Sequence, residues 1–134
     1  MDGCIFCRII SGEIPSMRVY EDDDCVAMMD ISPATPGHTL ILPKEHIADL
    51  SELDEALAGR LLMVAKAIGL RQKEALGADG FNVVQNNGRA AGQTVFHYHI
   101  HVIPRYAGGP QMVVWEPTSP TREQLAEIRD RLIG

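Results

Sequence analysis

Histidine recurs at every second position in Phe96-His97-Tyr98-His99-Ile100-His101-Val102-Ile103, and this run constrains the chain more than any other stretch. A period of two belongs to an extended strand, whose alternate side chains share a face. His97, His99 and His101 then form one row, and Tyr98, Ile100 and Val102 form the opposite, core-facing row. On a helix the imidazoles would splay around the axis. Val, Ile, Tyr and Phe favour strands, and Pro104 is expected to end the run. Imidazoles are costly to bury without partners. Three in register, out of five in the chain, therefore point to a site rather than to a solvated face.

At 134 residues, 46% hydrophobic and 22% charged, the chain is expected to form one domain over residues 1–134. A formal charge of −6 with no basic tract argues against a nucleic-acid partner and leaves a small phosphate ligand open. No stretch has the apolar length of a membrane span, so no membrane partner is expected. Met1-Asp2-Gly3-Cys4 does not begin a secretory signal, and three cysteines, an odd count, do not suggest a disulfide framework. A reducing cytoplasm is the expected location.

In chain order, residues 4–11 read as a short helix stopped near Gly12. Met17 to Glu21 and Cys25 to Asp30 read as a hairpin joined by Glu21-Asp22-Asp23-Asp24. A proline-stiffened loop over 31–37 leads to a strand at 38–43. Leu57, Leu61, Val64 and Ile68 share one face of a long helix over 54–76, ended by Gly77. A strand at 81–85, a polar loop at 86–92 and the histidine strand at 95–105 follow. Residues 106–120 read as irregular, and Thr121-x-x-Gln124 caps a last helix carrying Leu125, Ile128 and Leu132. The pattern predicts an α+β fold, an antiparallel sheet with helices mainly on one side, and Cys25 in its core.

A neutral imidazole is a competent nucleophile near neutral pH when one ring nitrogen is free and the other is held. Asn86, Gln93 and Thr94 supply amide and hydroxyl donors just upstream, and Gly88 and Gly92 let backbone approach a ligand. Short donors around a nucleophilic His suit phosphoryl or nucleotidyl transfer. His-x-His on a strand is equally good metal-ligand geometry, so the run by itself fits either chemistry. Cys4-x-x-Cys7 is half of a common zinc site, or a pair of buried thiols.

Gly92-Gln93-Thr94-Val95-Phe96-His97-Tyr98-His99-Ile100-His101-Val102-Ile103 closely resembles the signature of the histidine-triad (HIT) superfamily. Cys4-Ile5-Phe6-Cys7-Arg8-Ile9-Ile10, Asp30-Ile31-Ser32-Pro33 and Gly37-His38-Thr39-Leu40-Ile41-Leu42-Pro43-Lys44-Glu45-His46 resemble family segments in family order, so the likeness covers residues 3–105 and leaves 106–134 as an extension. The resemblance implies the HIT fold: an antiparallel meander, one long helix, and short helices at the N- and C-terminal ends.

The resemblance also implies a nucleotide hydrolase or transferase acting at the α-phosphate of a purine, AMP-like nucleotide. By it, His99 is the nucleophile that carries a nucleotidyl group, and His101 hydrogen-bonds the phosphate or assists the leaving group. Asn86, Gln93 and Thr94 hold the phosphate, and Asp30 accepts from the ribose hydroxyls. Ile5, Phe6, Ile9, Met28 and Ile31 line the base pocket, and His38 orients the triad. No catalytic metal is required. Cys4, Cys7, His46 and His97 match the ligands of a structural zinc, one per chain, and family members are homodimers. The Cys4–Ile10 and Asp30–Pro33 segments resemble Hint-like phosphoramidases. Gly92–Val95 and Val102–Arg105 resemble Fhit-like diadenosine polyphosphate hydrolases. Galactose-1-phosphate uridylyltransferases usually carry Gln where this chain has His101. A non-catalytic nucleotide-binding protein is the remaining alternative.

Overall fold

A computed structural model describes residues 3–112 and 115–134. Helix α1 (Ile5–Ile10) is capped by Cys4, whose Sγ accepts from Cys7 N, and ends at Ser11 with Gly12 at φ 86°. Strands β1 (Arg18–Glu21), β2 (Cys25–Met29) and β3 (Thr39–Pro43) form an antiparallel meander. The β1–β2 turn is held by Asp22 Oδ1, which accepts from the backbone N–H groups of Asp24 and Cys25. Helix α2 (Glu55–Leu76) starts at Asp54, whose side chain accepts from Leu57 N, and stops at Gly77 in the left-handed region. Strands β4 (Gly80–Val84) and β5 (Ile100–Arg105) complete a five-stranded sheet in the order β1-β2-β3-β5-β4. The chain crosses over the sheet through α2 and returns by a β4–β5 hairpin, which inserts the triad strand beside β3.

Side-chain alternation divides the core in two. Cys25 and Ala27 of β2, Ile41 of β3, and Ile100 and Val102 of β5 face α2 and pack on Leu61, Val64 and Ala65. Met28, Leu40 and Leu42 point to the other face, where α1 lays down Phe6 and Ile9. Truncating a side chain as fully buried as Leu61 costs about 2–5 kcal/mol. Burial pushes the Cys25 thiol up to about 12, as fits an inert core cysteine. Gly69 lets α2 close on β4, because a β-carbon there would run into the Phe81 ring.

Three expectations change. Helices do not keep to one side: α2 covers one face of the sheet and α1 the other, so the triad's polar face is roofed by α1. Pro104 does not end the run; it sits inside β5 opposite Phe81. Its carbonyl points to the β3 side, beyond the last β3 pair, and accepts from Thr35 Oγ1. The missing N–H therefore faces a place with no ladder bond to make. Helix α3 (Arg122–Ile133) has the predicted Thr121–Gln124 capping box, but its stripe is not a core. Leu125, Ile128 and Leu132 stay 58%, 50% and 82% exposed.

Candidate functional site

The regular strand covers only His101 of the triad, since β5 begins at Ile100. Residues 95–99 run beside an irregular stretch instead. Pro43 ends β3 and has no N–H to offer, its carbonyl accepts from His97 Nε2 at 2.8 Å, and Tyr98 N donates to Ile47 O. The chain stays extended, so alternation survives. Tyr98 is in the α2-side core, while Phe6 of α1 packs edge-on against both His97 and His99.

The surroundings assign a tautomer to four of the five imidazoles. His97 donates its Nε2 proton to Pro43 O, which leaves the Nδ1 lone pair facing Cys4 Sγ at 3.4 Å and Cys7 Sγ at 3.6 Å. His99 donates from Nδ1 to His97 O at 2.8 Å, so Nε2 carries a lone pair and has no protein partner among the described residues. His38 Nδ1 accepts the Ala34 N–H at 2.9 Å, and its Nε2 therefore holds the proton and donates to His101 Nδ1 at 2.9 Å. His101 is left with one proton, on Nε2. A lone pair on His99 and an N–H on His101 thus stand side by side, with ring centroids 5.1 Å apart.

Electrostatics keeps these rings neutral. Burial pushes His99 and His38 below their ordinary value, the nearby charge of Asp30 pulling partly back. His101 is pushed down to about 4, by burial first and then by His99 and His38. Asp30 reaches His38 Nε2 at 3.4 Å through Oδ2, and its Oδ1 accepts from Ser32 N.

A cavity of ≈ 410 Å³ opens on the two inner imidazoles. Among the residues expected in a nucleotide site, Ile5, Phe6, Ile9, Met28 and Ile31 form its apolar wall. Asp30, Thr94, His99 and His101 provide its polar groups. Ile14, Ser16, Leu40 and Val95 also line it. They carry no signature of their own and enter only because the hairpin and α1 converge there. His38 stands behind His101, away from the cavity lining. Asn86 lies beside Gly92, outside that lining. Gln93 is only 3% exposed, and its amide accepts from Gly88 N and donates to Ala48 O and Val95 O. Gly88 and Gly92 adopt φ 91° and 96°, the region that favours glycine. Ala34 N–H and Pro43 C=O, which fix two tautomers, were not legible, since every residue offers such groups.

The four metal candidates converge. Cys4 Sγ, Cys7 Sγ, His46 Nδ1 and His97 Nδ1 lie within 4.8 Å of one another, with His46 Nδ1 at 3.3 Å from Cys7 Sγ. Ligand atoms around a tetrahedral zinc stand about 3.5 Å apart when bond lengths are 2.0–2.3 Å. The donor set and the unprotonated Nδ1 of His97 fit such an ion. Asp30, His38 and His101 also group, but the two imidazoles already bond each other. Among the described residues no helix is long and apolar enough to cross a membrane.

The chain is similar to several known proteins. A structure of a protein from Streptococcus mutans UA159 is 40% identical and superposes with a TM-score of 0.93, covering 99% of this chain and 85% of that one. A zinc-bound histidine triad family protein from Mycobacterium smegmatis is 37% identical with a TM-score of 0.78, covering 97% and 98%. The adenylylsulfatase HINT3 of Arabidopsis thaliana is 44% identical over 102 residues, 76% of this chain and 52% of that protein. The HIT domain model matches residues 11–108, and the chain belongs to the HIT domain family.

Proposed function

We propose that the chain hydrolyses a purine nucleoside phosphoramidate, or a related nucleotide conjugate, at its α-phosphorus. One observation carries the reading: His99, which lines the cavity, has an unprotonated Nε2 with no protein partner among the described residues, beside the Nε2–H of His101. In the first step the His99 lone pair bonds phosphorus, and the bond from phosphorus to the leaving atom breaks with its electron pair. An amine departs with a proton taken from solvent. In the second step water bonds phosphorus, the N–P pair returns to the imidazole, and the nucleoside monophosphate and a proton are released. Two displacements replace one difficult one. His101 and Thr94 donate hydrogen bonds to the phosphoryl oxygens, where charge builds up. The apolar wall receives the base, and Asp30 the ribose. The adenylylsulfatase activity named for the Arabidopsis relative is a cleavage of this type.

A structural zinc on Cys4, Cys7, His46 and His97 belongs to the same reading, supported by the donor set and by the zinc-bound mycobacterial relative. It would tie α1 to the triad segment and takes no part at phosphorus. Pairing of two copies is supported by exposed Leu62, Met63 and Leu70 on α2 and by the β4 edge at Val83. Three free thiols suit a reducing cytoplasm.

The test is an alkaline rapid quench, because a phosphorus–nitrogen bond is acid-labile. Wild type mixed with adenosine phosphoramidate should show a nucleotidyl group mapped to His99, and His99→Gln should show none and lose more than about a thousandfold in kcat. Turnover retained in His99→Gln would remove the assignment.

A further inference from the structure

We infer that Ser16 reads the sugar of the nucleotide: its hydroxyl donates to a ribose hydroxyl whose own proton goes to Asp30, so the cavity favours ribonucleotides over deoxyribonucleotides. The inference rests on the reading of the site above. Among the described residues two buried side-chain atoms have no hydrogen-bond partner, Ser16 Oγ and Gln72 Oε1. Gln72 belongs to α2, on the other face of the sheet, where its amide donates to Gly37 O and Val102 O. Ser16 lines the nucleotide cavity. A hydroxyl left unpaired in a protein interior is costly, and such a group calls for a partner.

Two anchors place Ser16 beside Asp30. Ile14 N donates to Arg8 O of α1, and Met17 O accepts from Met29 N at 2.8 Å. The second bond continues the β1–β2 register, in which Arg18 faces Met28, and so sets Ser16 across from Asp30. Facing residues on antiparallel neighbours share a face, with β-carbons roughly 5 Å apart. Both residues line the cavity, yet no hydrogen bond joins them. Asp30 Oδ1 accepts from Ser32 N, and its Oδ2 lies 3.4 Å from His38 Nε2. Ile9, Ile14, Met28 and Leu40, which line the same cavity, have side chains without a strong acceptor.

A ribose supplies the missing partner. A carboxylate only accepts, so each ribose hydroxyl at Asp30 gives its proton there and keeps lone pairs on its oxygen. Water fills those lone pairs in solution, and inside the cavity a protein donor must replace it. His101 and Thr94 serve the phosphoryl oxygens in the reaction above, and the His99 N–H serves His97 O. Ser32 lines the cavity too, but it is exposed and its hydroxyl keeps solvent as a partner. Ser16 is half-buried, and rotation about its single χ1 bond re-aims the hydroxyl. Ser16 then donates to a ribose oxygen, and that ribose hydroxyl donates to Asp30. A sugar lacking the hydroxyl leaves Ser16 unpaired, which is how a polar site rejects a deoxy analogue.

The experiment measures dissociation constants of AMP, 2′-deoxy-AMP and 3′-deoxy-AMP by calorimetry in wild type, Ser16→Ala and Ser16→Thr, with turnover of adenosine phosphoramidate followed alongside. Ser16→Ala should weaken AMP about fivefold, the equivalent of one neutral hydrogen bond, and Ser16→Thr should recover most of that. One of the two deoxynucleotides should lose at least that factor in wild type and nothing further in Ser16→Ala, which identifies the hydroxyl that Ser16 holds. The Tm of nucleotide-free Ser16→Ala should equal or exceed that of wild type, because an unpaired buried hydroxyl is removed. A lower Tm with no sugar preference would give Ser16 a structural role and overturn the inference. Equal weakening of all three nucleotides in Ser16→Ala, or none, would also overturn it, while continued turnover leaves the histidine chemistry standing. A wild type that neither turns over the phosphoramidate nor binds AMP removes both.

Discussion

The backbone N–H of Ala34 donates to Nδ1 of His38 at 2.9 Å, and through His38 it decides which nitrogen of His101 carries a proton. Reversing His38 would bring two N–H groups together at Ala34, so the tautomer is fixed by main chain rather than by choice of side chain. His38 is a positioning residue. His38→Gln should lower kcat about tenfold, the equivalent of one hydrogen bond to a group in the reacting centre. Nucleotide affinity should change little. Nitrogen-15 shifts of His101 should move from a single tautomer to a mixture, which loss of packing alone would not cause. An unchanged His101 spectrum with reduced kcat would assign the loss to packing.

The depressed imidazoles make stability depend on pH with a definite sign. His101 titrates at about 4 in the folded chain, against an ordinary 6.5 when unfolded. Within that window the unfolded chain binds a proton that the folded chain does not, so stability is complete above pH about 6.5 and falls as the pH drops towards 4. His38 shifts in the same direction, and Asp30, which faces both, opposes it only in part. Melting curves of metal-free protein across this range should show Tm declining with acid. His101→Gln should flatten that decline. A wild-type Tm that rises on acidification would contradict the burial of these rings.

The histidine row was legible because alternation needs only an extended backbone. His97 and His99 share the polar side, and Tyr98 the core, although none of the three belongs to a regular strand. The cluster of Cys4, Cys7, His46 and His97 was readable only through family resemblance, because ligands 39 and 93 residues apart leave no local pattern. Gln93 shows the opposite limit. Its residue type announces donors and an acceptor but not their partners, and it proved to brace a loop through Ala48. Periodicity likewise identified the stripe of α3 without revealing that the described part of this chain offers it nothing to cover.

Zinc should matter to the fold and not to the chemical step. A metal at about a hundred times its dissociation constant stabilises by about 2.7 kcal/mol. For a chain of this size that corresponds to a Tm higher by roughly 10 °C. Untagged protein should contain one zinc per chain, and strong chelation should lower Tm by that order while a single turnover at low temperature proceeds at its former rate. His97→Ala and Cys7→Ser should lose the metal. Zinc-free native protein with an unshifted Tm would remove the site.

The proposed function gives Asp30 two duties, at the ribose and at His38, and substrate and protein changes together separate them. Its Oδ1 accepts from Ser32 N at 2.8 Å and its Oδ2 lies 3.4 Å from His38 Nε2. Each carboxylate oxygen keeps a second lone pair, and Asp30 lines the cavity. A ribose diol there would give up two hydrogen bonds to water and regain them on a charged acceptor, worth roughly tenfold in KM. Wild type should therefore lose about that factor on a 2′,3′-dideoxy substrate, and Asp30→Ala should lose it on the ribose substrate. The combination decides the matter. If Asp30 holds the diol, the dideoxy substrate costs Asp30→Ala nothing further, and the two losses do not add. The effect routed through His38 appears separately, as a fall in kcat common to both substrates. Fully additive losses in KM would place the ribose elsewhere and leave Asp30 with its histidine alone.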